Sequence, residues 1–299
     1  MYLSYSGYKY LRDCALRYWF AYVGQPDLGK EENAVNTLYG SIVSSLIEDF
    51  YERELWRSRD PKPRKLVMDL VDETVQRVID EESNKKGRYI EFDGEGSNYA
   101  SREELEADVR DTVPRALGAI RFHRLLGPMA RAEIKLDSEV DGHKLGGRVD
   151  FMIRRAKPLC DKVILDGKGS KKRAVRYLDW DQLLWYGVLH RERFGKAPDK
   201  LGYFLWRFSP QDALMWLDFD EGKLDAFKAK VMGIIAQTAA WLEETDGQGI
   251  EQVKKTFKPK PSQQNCRFCT FATQDLCPRG AAVVKKLEAR RRAAPHGAV

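Results

Sequence analysis

The chain of 299 residues has no run approaching the ~18 consecutive apolar residues that a membrane-spanning helix requires. Its opening, MYLSYSGYKYLRDC, lacks the apolar core of a secretion signal, so a cytoplasmic protein without membrane contact is expected. No internal repeat is visible. Strong charge of one sign is also missing, because 51 Lys and Arg stand against 45 Asp and Glu, and a net +6 spread over the surface selects no partner. Cysteine is scarce and odd in number, which argues against a disulfide framework. The segment GKGSKK lacks the spaced upstream glycine of a nucleotide phosphate loop, which excludes that reading.

What is present builds a globular α/β chain, with 43% hydrophobic residues for a core and 32% charged residues for an exterior. Residues 8–23 read as an aromatic-rich helix. Val35, Leu38, Tyr39, Ile42, Val43, Leu46, Ile47 and Phe50 recur at helical spacing, and beside them Thr37, Ser41, Ser44 and Glu48 share a polar edge that would ordinarily face water. Two more helices are expected over 67–79 and 105–120, the second bent at Pro114. Near Arg131 the period becomes two: RAEIKLDSEV, a DGH turn and KLGGRVDFMIRR read as a hairpin. DKVILDGK suits a buried central strand. A helix over 175–194, strands over 201–207 and 215–219, and a helix over 224–242 follow. A Lys- and Pro-rich connector, a cysteine segment and a basic tail complete the chain. One core with appendages over 1–299 is expected.

The core order of helix, three strands, helix and strand puts Asp150 on the second strand and Asp166-Gly167-Lys168 at the end of the third. Strand side chains alternate, so Asp166 and Lys168 share a side, and a hairpin neighbour brings Asp150 beside them. Two carboxylates suit Mg²⁺ or Mn²⁺, and such an ion orients and deprotonates water while neutralising the charge that develops in phosphodiester cleavage. Lys168 would then position or help deprotonate the attacking water. The bare acid-x-Lys pattern is weak, since it recurs as Asp60-Pro61-Lys62, Glu133-Ile134-Lys135 and Glu221-Gly222-Lys223. The apolar strand before Asp166 separates it from these. Gln182 and Tyr186, four apart, share a face of the following helix. Lys171, Lys172, Arg173 and Arg176, with no acid between them, would attract phosphates or simply form a solvated face.

Cys266, Cys269 and Cys277 supply three thiolates in one short segment, and Cys14 is the candidate fourth; Cys160, beside the apolar strand, reads as a buried small hydrophobe. An iron-sulfur cluster and a structural Zn²⁺ site are both open on spacing.

Taken in order, Ser4-x-Ser6 leading to Cys14-Ala-Leu-Arg-Tyr, Gly40-Ser-Ile-Val43, Gly147-Arg-Val-Asp150-Phe, Ile164-Leu-Asp166-Gly-Lys168, Gln182-x₃-Tyr186 and the late cysteines resemble the RecB-like, iron-sulfur branch of the PD-(D/E)XK nucleases, such as the AddB nuclease domain and the exonucleases of CRISPR adaptation. The resemblance implies a restriction-endonuclease-like core in a single nuclease domain over 1–299, with a helical insertion at 51–130, a catalytic sheet at 131–220 and a cysteine segment at 262–280 closing on Cys14. It implies a metal-dependent DNA exonuclease, with Asp150, Asp166 and the Gly167 carbonyl on Mg²⁺ or Mn²⁺, Lys168 at the water, and Gln182 and Tyr186 in support. Cys14, Cys266, Cys269 and Cys277 would hold a 4Fe-4S cluster. DNA is the implied substrate, and a helicase, recombination or CRISPR-adaptation protein the implied partner.

One departure bears on activity. Where the family usually carries a metal-binding His after Gly-x-x-Val, this chain has Ser44, with Glu48 one turn on. Glu48 could complete an oxygen-only site; alternatively, the chain is an impaired relative that binds DNA or a protein without cleaving.

Overall fold

The computed structural model describes residues 2–26, 32–85, 87–94, 97–127, 131–155, 157–174, 178–267 and 269–293. They divide into two compact units, one formed by 29–227 and the other by 1–28 together with 228–299.

In the larger unit the mixed α/β core follows the expected order. The hairpin strands Arg131–Val140 and His143–Arg154 turn at Asp141-Gly142, whose φ values of 47° and 79° are the paired positive angles that a two-residue turn needs to match strand twist. His143–Arg154 pairs antiparallel with Lys162–Lys168, which pairs parallel with Lys200–Leu205, and that strand pairs antiparallel with Leu214–Leu217. The parallel step is made by the crossover helix Trp180–Phe194. Lys162–Lys168 is therefore interior to the sheet, which accounts for its apolar run: Val163, Ile164 and Leu165 are fully buried.

Val163 and Leu165 join Phe151, Ile153 and Phe204 in a core shared with helices Val35–Glu52, Val71–Ser83 and Arg102–Phe122. Helix Trp180–Phe194 packs on the strands with rings placed over glycines. Trp185 Nε1 donates to the Gly146 carbonyl at 3.2 Å, and a Cβ on Gly147 would come within 3.2 Å of the Tyr186 ring.

Several elements differ from expectation. The helix expected over 67–79 is two, Pro63–Asp69 and Val71–Ser83, separated at Leu70. Cys160 is exposed, at φ 54° in the turn before the central strand, because burial begins only at Val163.

In the smaller unit the helix expected over 8–23 is broken. Tyr5–Asp13, capped by Ser4 Oγ accepting from Gly7 N at 3.2 Å, ends where Cys14 takes an extended conformation, φ −163° and ψ 101°; Ala15–Trp19 and a π-turn, Phe20–Gly24, follow. The Lys-rich connector contains a helix, Ile250–Thr256, and the basic tail is helical over Pro278–Ala293. No helix among the described residues is long and apolar enough to cross a membrane.

Candidate active site

The hairpin register builds the site. From the Asp141-Gly142 turn, Val140 pairs with His143, Leu136 with Gly147, Ile134 with Val149 and Ala132 with Phe151. On the other flank Phe151 pairs with Leu165 and Met152 with Ile164. Counting one step along each ladder sets Glu133, Asp150 and Asp166 abreast on three neighbouring strands.

The structure brings together the residues singled out in the sequence. Asp166 is 1% exposed. Its Oδ1 accepts from Gln182 Nε2 at 2.6 Å, and its Oδ2 is paired with the Lys168 ammonium. Gln182 also contacts the Tyr186 hydroxyl at 3.0 Å and accepts from Lys168 Nζ at 3.3 Å, so one amide orients acid, amine and phenol. Lys168 Nζ lies 5.6 Å from the centre of the Tyr203 ring, whose hydroxyl donates to the Asp179 carbonyl at 2.6 Å, just before the crossover helix. Asp150 Oδ2 accepts the Gly167 N–H at 2.7 Å.

These carboxylates are held against their charge. Burial, then the neighbouring Asp166, pushes the Asp150 carboxyl well above its ordinary range, with the Lys168 ammonium and the Gly167 N–H opposing. Burial also raises Asp166, against the pull of Lys168. Glu48 is raised by burial and by Glu133, Glu52 and Asp49, with Arg148 opposing.

The polar edge of helix Val35–Glu52 faces this chemistry. Thr37, Ser41, Ser44 and Glu48 all line a cleft of about 1430 Å³ together with Asp150, Gly167 and Lys168. Glu133 lines it too, accepting from Ser44 Oγ at 3.3 Å and facing Arg148 Nη1 at 3.5 Å. Glu133 belongs to one of the acid-x-Lys matches that carry no signal in the sequence, yet counting pairs back from the Asp-Gly turn places it beside Asp150.

Two other residues carried no local signal. Trp206 covers Gly167 so closely that a Cβ there would fall 2.1 Å from the ring. Arg207 lies 3.6 Å from the centre of the Tyr39 ring, forks to Asp108 at 2.6 and 2.7 Å and donates from Nε to the Gly169 carbonyl at 2.8 Å. It anchors the backbone just beyond Lys168.

The basic run is divided. Lys171, Lys172 and Arg173 are all exposed, but the Arg173 guanidinium is engaged, donating to the carbonyls of Asp212 at 2.9 Å and Leu214 at 3.4 Å. Arg176 lies outside the described residues.

The donors fit a hard divalent cation. Asp150, Asp166 and the Gly167 carbonyl are oxygen ligands, and no histidine lines the cleft among the described residues. No three His, Cys, Asp or Glu side chains among the described residues form a group that could hold a metal ion. Mg²⁺ does not need such a cage, since one or two carboxylates plus water commonly hold it.

In the smaller unit Cys14, Cys266, Cys269 and Cys277 border one cavity of about 330 Å³, all of them free thiols. Asn265 Nδ2 donates to the Asp13 carbonyl at 2.7 Å, and the Phe20 and Phe271 rings stack at 5.0 Å, which brings the early and late cysteine segments together. Burial raises the thiols of Cys269 and Cys277 above their ordinary range. Binding a soft metal would have to deprotonate them, and metal affinity then depends on pH.

The family model of the PD-(D/E)XK nuclease superfamily matches residues 2–278. The chain belongs to that superfamily, which points to nuclease activity. Among solved structures it is similar to one described as the crystal structure of SSO0001, at 12% identity over 80% of this chain and 84% of that one, with a TM-score of 0.30. A search of curated proteins returns no match.

Proposed function

We propose that this chain is a Mg²⁺- or Mn²⁺-dependent DNA exonuclease of the RecB-like branch. The observation that carries the reading is the convergence of Asp150, Asp166, Lys168 and Gln182 at one end of the central strand, with Asp150 and Lys168 bordering an open cleft. A divalent ion held there would supply an activated water and neutralise charge on the phosphodiester. Asp150, Asp166 and the Gly167 carbonyl hold it. Lys168, kept beside Asp166 by Gln182, hydrogen-bonds the attacking water; Tyr186 restrains Gln182 from behind; Glu48 takes the place of the family's His. Lys171 and Lys172 meet the DNA phosphates. The protein acts on ends supplied by a separate unwinding, recombination or CRISPR-adaptation protein.

The cysteines serve a different purpose. Cys14, Cys266, Cys269 and Cys277 would hold a 4Fe-4S cluster as a structural element, with a single Zn²⁺ as the alternative; four soft thiols bordering one cavity motivate the reading, and their side chains would have to draw together, since as they stand they do not form a metal-holding group.

The test is cleavage of end-labelled linear DNA and of a covalently closed circle, with Mg²⁺, with Mn²⁺ and with chelator. Metal-dependent shortening of the linear strand with the circle spared is expected. Asp166→Asn and Lys168→Met should each lower the rate about 10³-fold, since several kcal/mol of transition-state stabilisation is removed. Cleavage persisting in Asp166→Asn would overturn the assignment. Strand binding without cleavage under any condition would favour the non-catalytic reading, for which the absent His is the motivating observation.

A further inference from the structure

A second pocket, of about 1020 Å³, lies in the smaller unit between helix Ile250–Thr256 and the start of helix Pro278–Ala293. Lys254, Lys255, Lys258 and Arg279 line it against a single acid, Glu251. Lys254 pairs with Glu251 at 2.9 Å. Lys255, Lys258 and Arg279 are exposed and have no ion pair among the described residues. Holding three like charges around one concavity is unfavourable unless an anion joins them, and a helix that begins at Pro278 adds the positive end of its dipole. The remaining walls are Leu16, Pro259, Cys277 and Pro278, which add no carboxylate to oppose one.

We propose that this pocket is a phosphate-binding site for a single DNA strand, distinct from the carboxylate cleft. Phosphate is what the cations select; that it belongs to a strand rests on the nuclease reading above. The lysine-rich sequence 254–260 alone would also include Lys260, but its Nζ donates to the Arg12 carbonyl at 3.2 Å and it does not line the pocket. Arg279, remote in sequence, takes its place. Cys277 borders both this pocket and the cysteine cavity, so a strand held here would lie against the proposed cluster's own shell.

The test uses the full chain and a fluorescein-labelled 20-nucleotide single strand in EDTA, followed by anisotropy across a salt series, with inorganic phosphate in a separate arm followed by thermal shift. The triple variant Lys255→Gln/Lys258→Gln/Arg279→Gln changes exposed side chains and should melt like the wild type. It should bind the strand at least tenfold more weakly at low salt, and its slope of log affinity against log salt should be shallower by about 2, at roughly 0.7 per lost phosphate contact. Lys260→Gln should leave the slope unchanged, and Lys255→Arg/Lys258→Arg should preserve it. Equal slopes for wild type and triple variant would overturn the proposal, as would stabilisation by free phosphate with no change in strand binding. Cleavage reports on the other site: wild-type cleavage with equal slopes removes only this pocket, and a strand-binding, slope-sensitive protein that never cleaves removes only the nuclease reading.

Discussion

Asp150 shows most directly what the site costs the fold. Its carboxyl is raised by burial and by Asp166, so the folded protein binds that proton more tightly than the unfolded chain does. For a group shifted in this sense, stability falls as pH rises from the ordinary Asp value of about 3.9 toward the raised value, and the penalty is complete above it. Asp150→Asn keeps an acceptor for the Gly167 N–H and removes the charge. The metal-free variant should therefore melt higher than wild type at pH 7, by roughly 2 °C per kcal/mol relieved at this chain length. The difference should vanish on acidification. Cleavage, which needs the ionised carboxylate, should decline with falling pH at a higher pH than an ordinary carboxylate would dictate. Calorimetry in EDTA and a pH-rate profile check both, and a lower melting temperature for Asp150→Asn would contradict the account.

At the scale of elements, the end of the central strand is clamped from its far side. Gly167 carries no side chain because the Trp206 ring occupies that space, and Trp206 is itself 3% exposed. Gly167→Ala therefore overpacks the core, for a loss of about 1–3 kcal/mol, and displaces the peptide that lies between the two site residues Asp166 and Lys168. A lower melting point and a loss of cleavage are expected together. Adding Trp206→Leu should recover much of the stability. If Gly167→Ala alone melts like wild type, the close approach of the ring is not what selects glycine. Beyond the strand, Arg207 joins Asp108 of helix Arg102–Phe122, Tyr39 of helix Val35–Glu52 and the Gly169 carbonyl. One side chain thus ties two helices to the loop that leaves the site.

At the scale of the molecule, two units with different chemistry make up the chain: hard oxygen donors in one, soft thiols in the other. Loss of metal should act on them separately. Chelating Mg²⁺ or Mn²⁺ should stop cleavage and leave the melting temperature equal or modestly lower, because an ion bound to the folded chain stabilises it and its removal leaves the carboxylates to repel one another until they take up protons. Losing a cluster would instead leave four thiols, three of them buried, facing one another without their common partner. Anaerobically purified protein should contain about four iron and four sulfide per chain if the cluster proposal holds. Cys14→Ser and Cys266→Ser should each lower iron content and stability, while Cys160→Ser, at an exposed turn, should leave both unchanged. One zinc per chain in a colourless, folded protein would reverse the choice of metal.

Local chemistry determined much of this in the sequence. Alternating apolar residues around Asp141-Gly142 specify a hairpin, three β-branched or aliphatic residues in succession specify an interior strand, and i, i+4 spacing sets Gln182 and Tyr186 on one face, because periodicity and turn preference act over a few residues. The spacing of Thr37, Ser41, Ser44 and Glu48 was equally legible, but whether that edge faced water or a site depended on what the helix packed against. Tertiary structure decided that, and it decided the rest. Glu133 joins Asp150 only through the hairpin register, Trp206 and Arg207 reach Gly167 and Gly169 only because parallel strands lie side by side, and Arg279 meets Lys255 and Lys258 only when two helices of the smaller unit come together. The break at Cys14 and the exposure of Cys160 belong with these. Neither follows from helix or burial propensity, since each depends on contacts or an exposed turn that the local pattern does not encode.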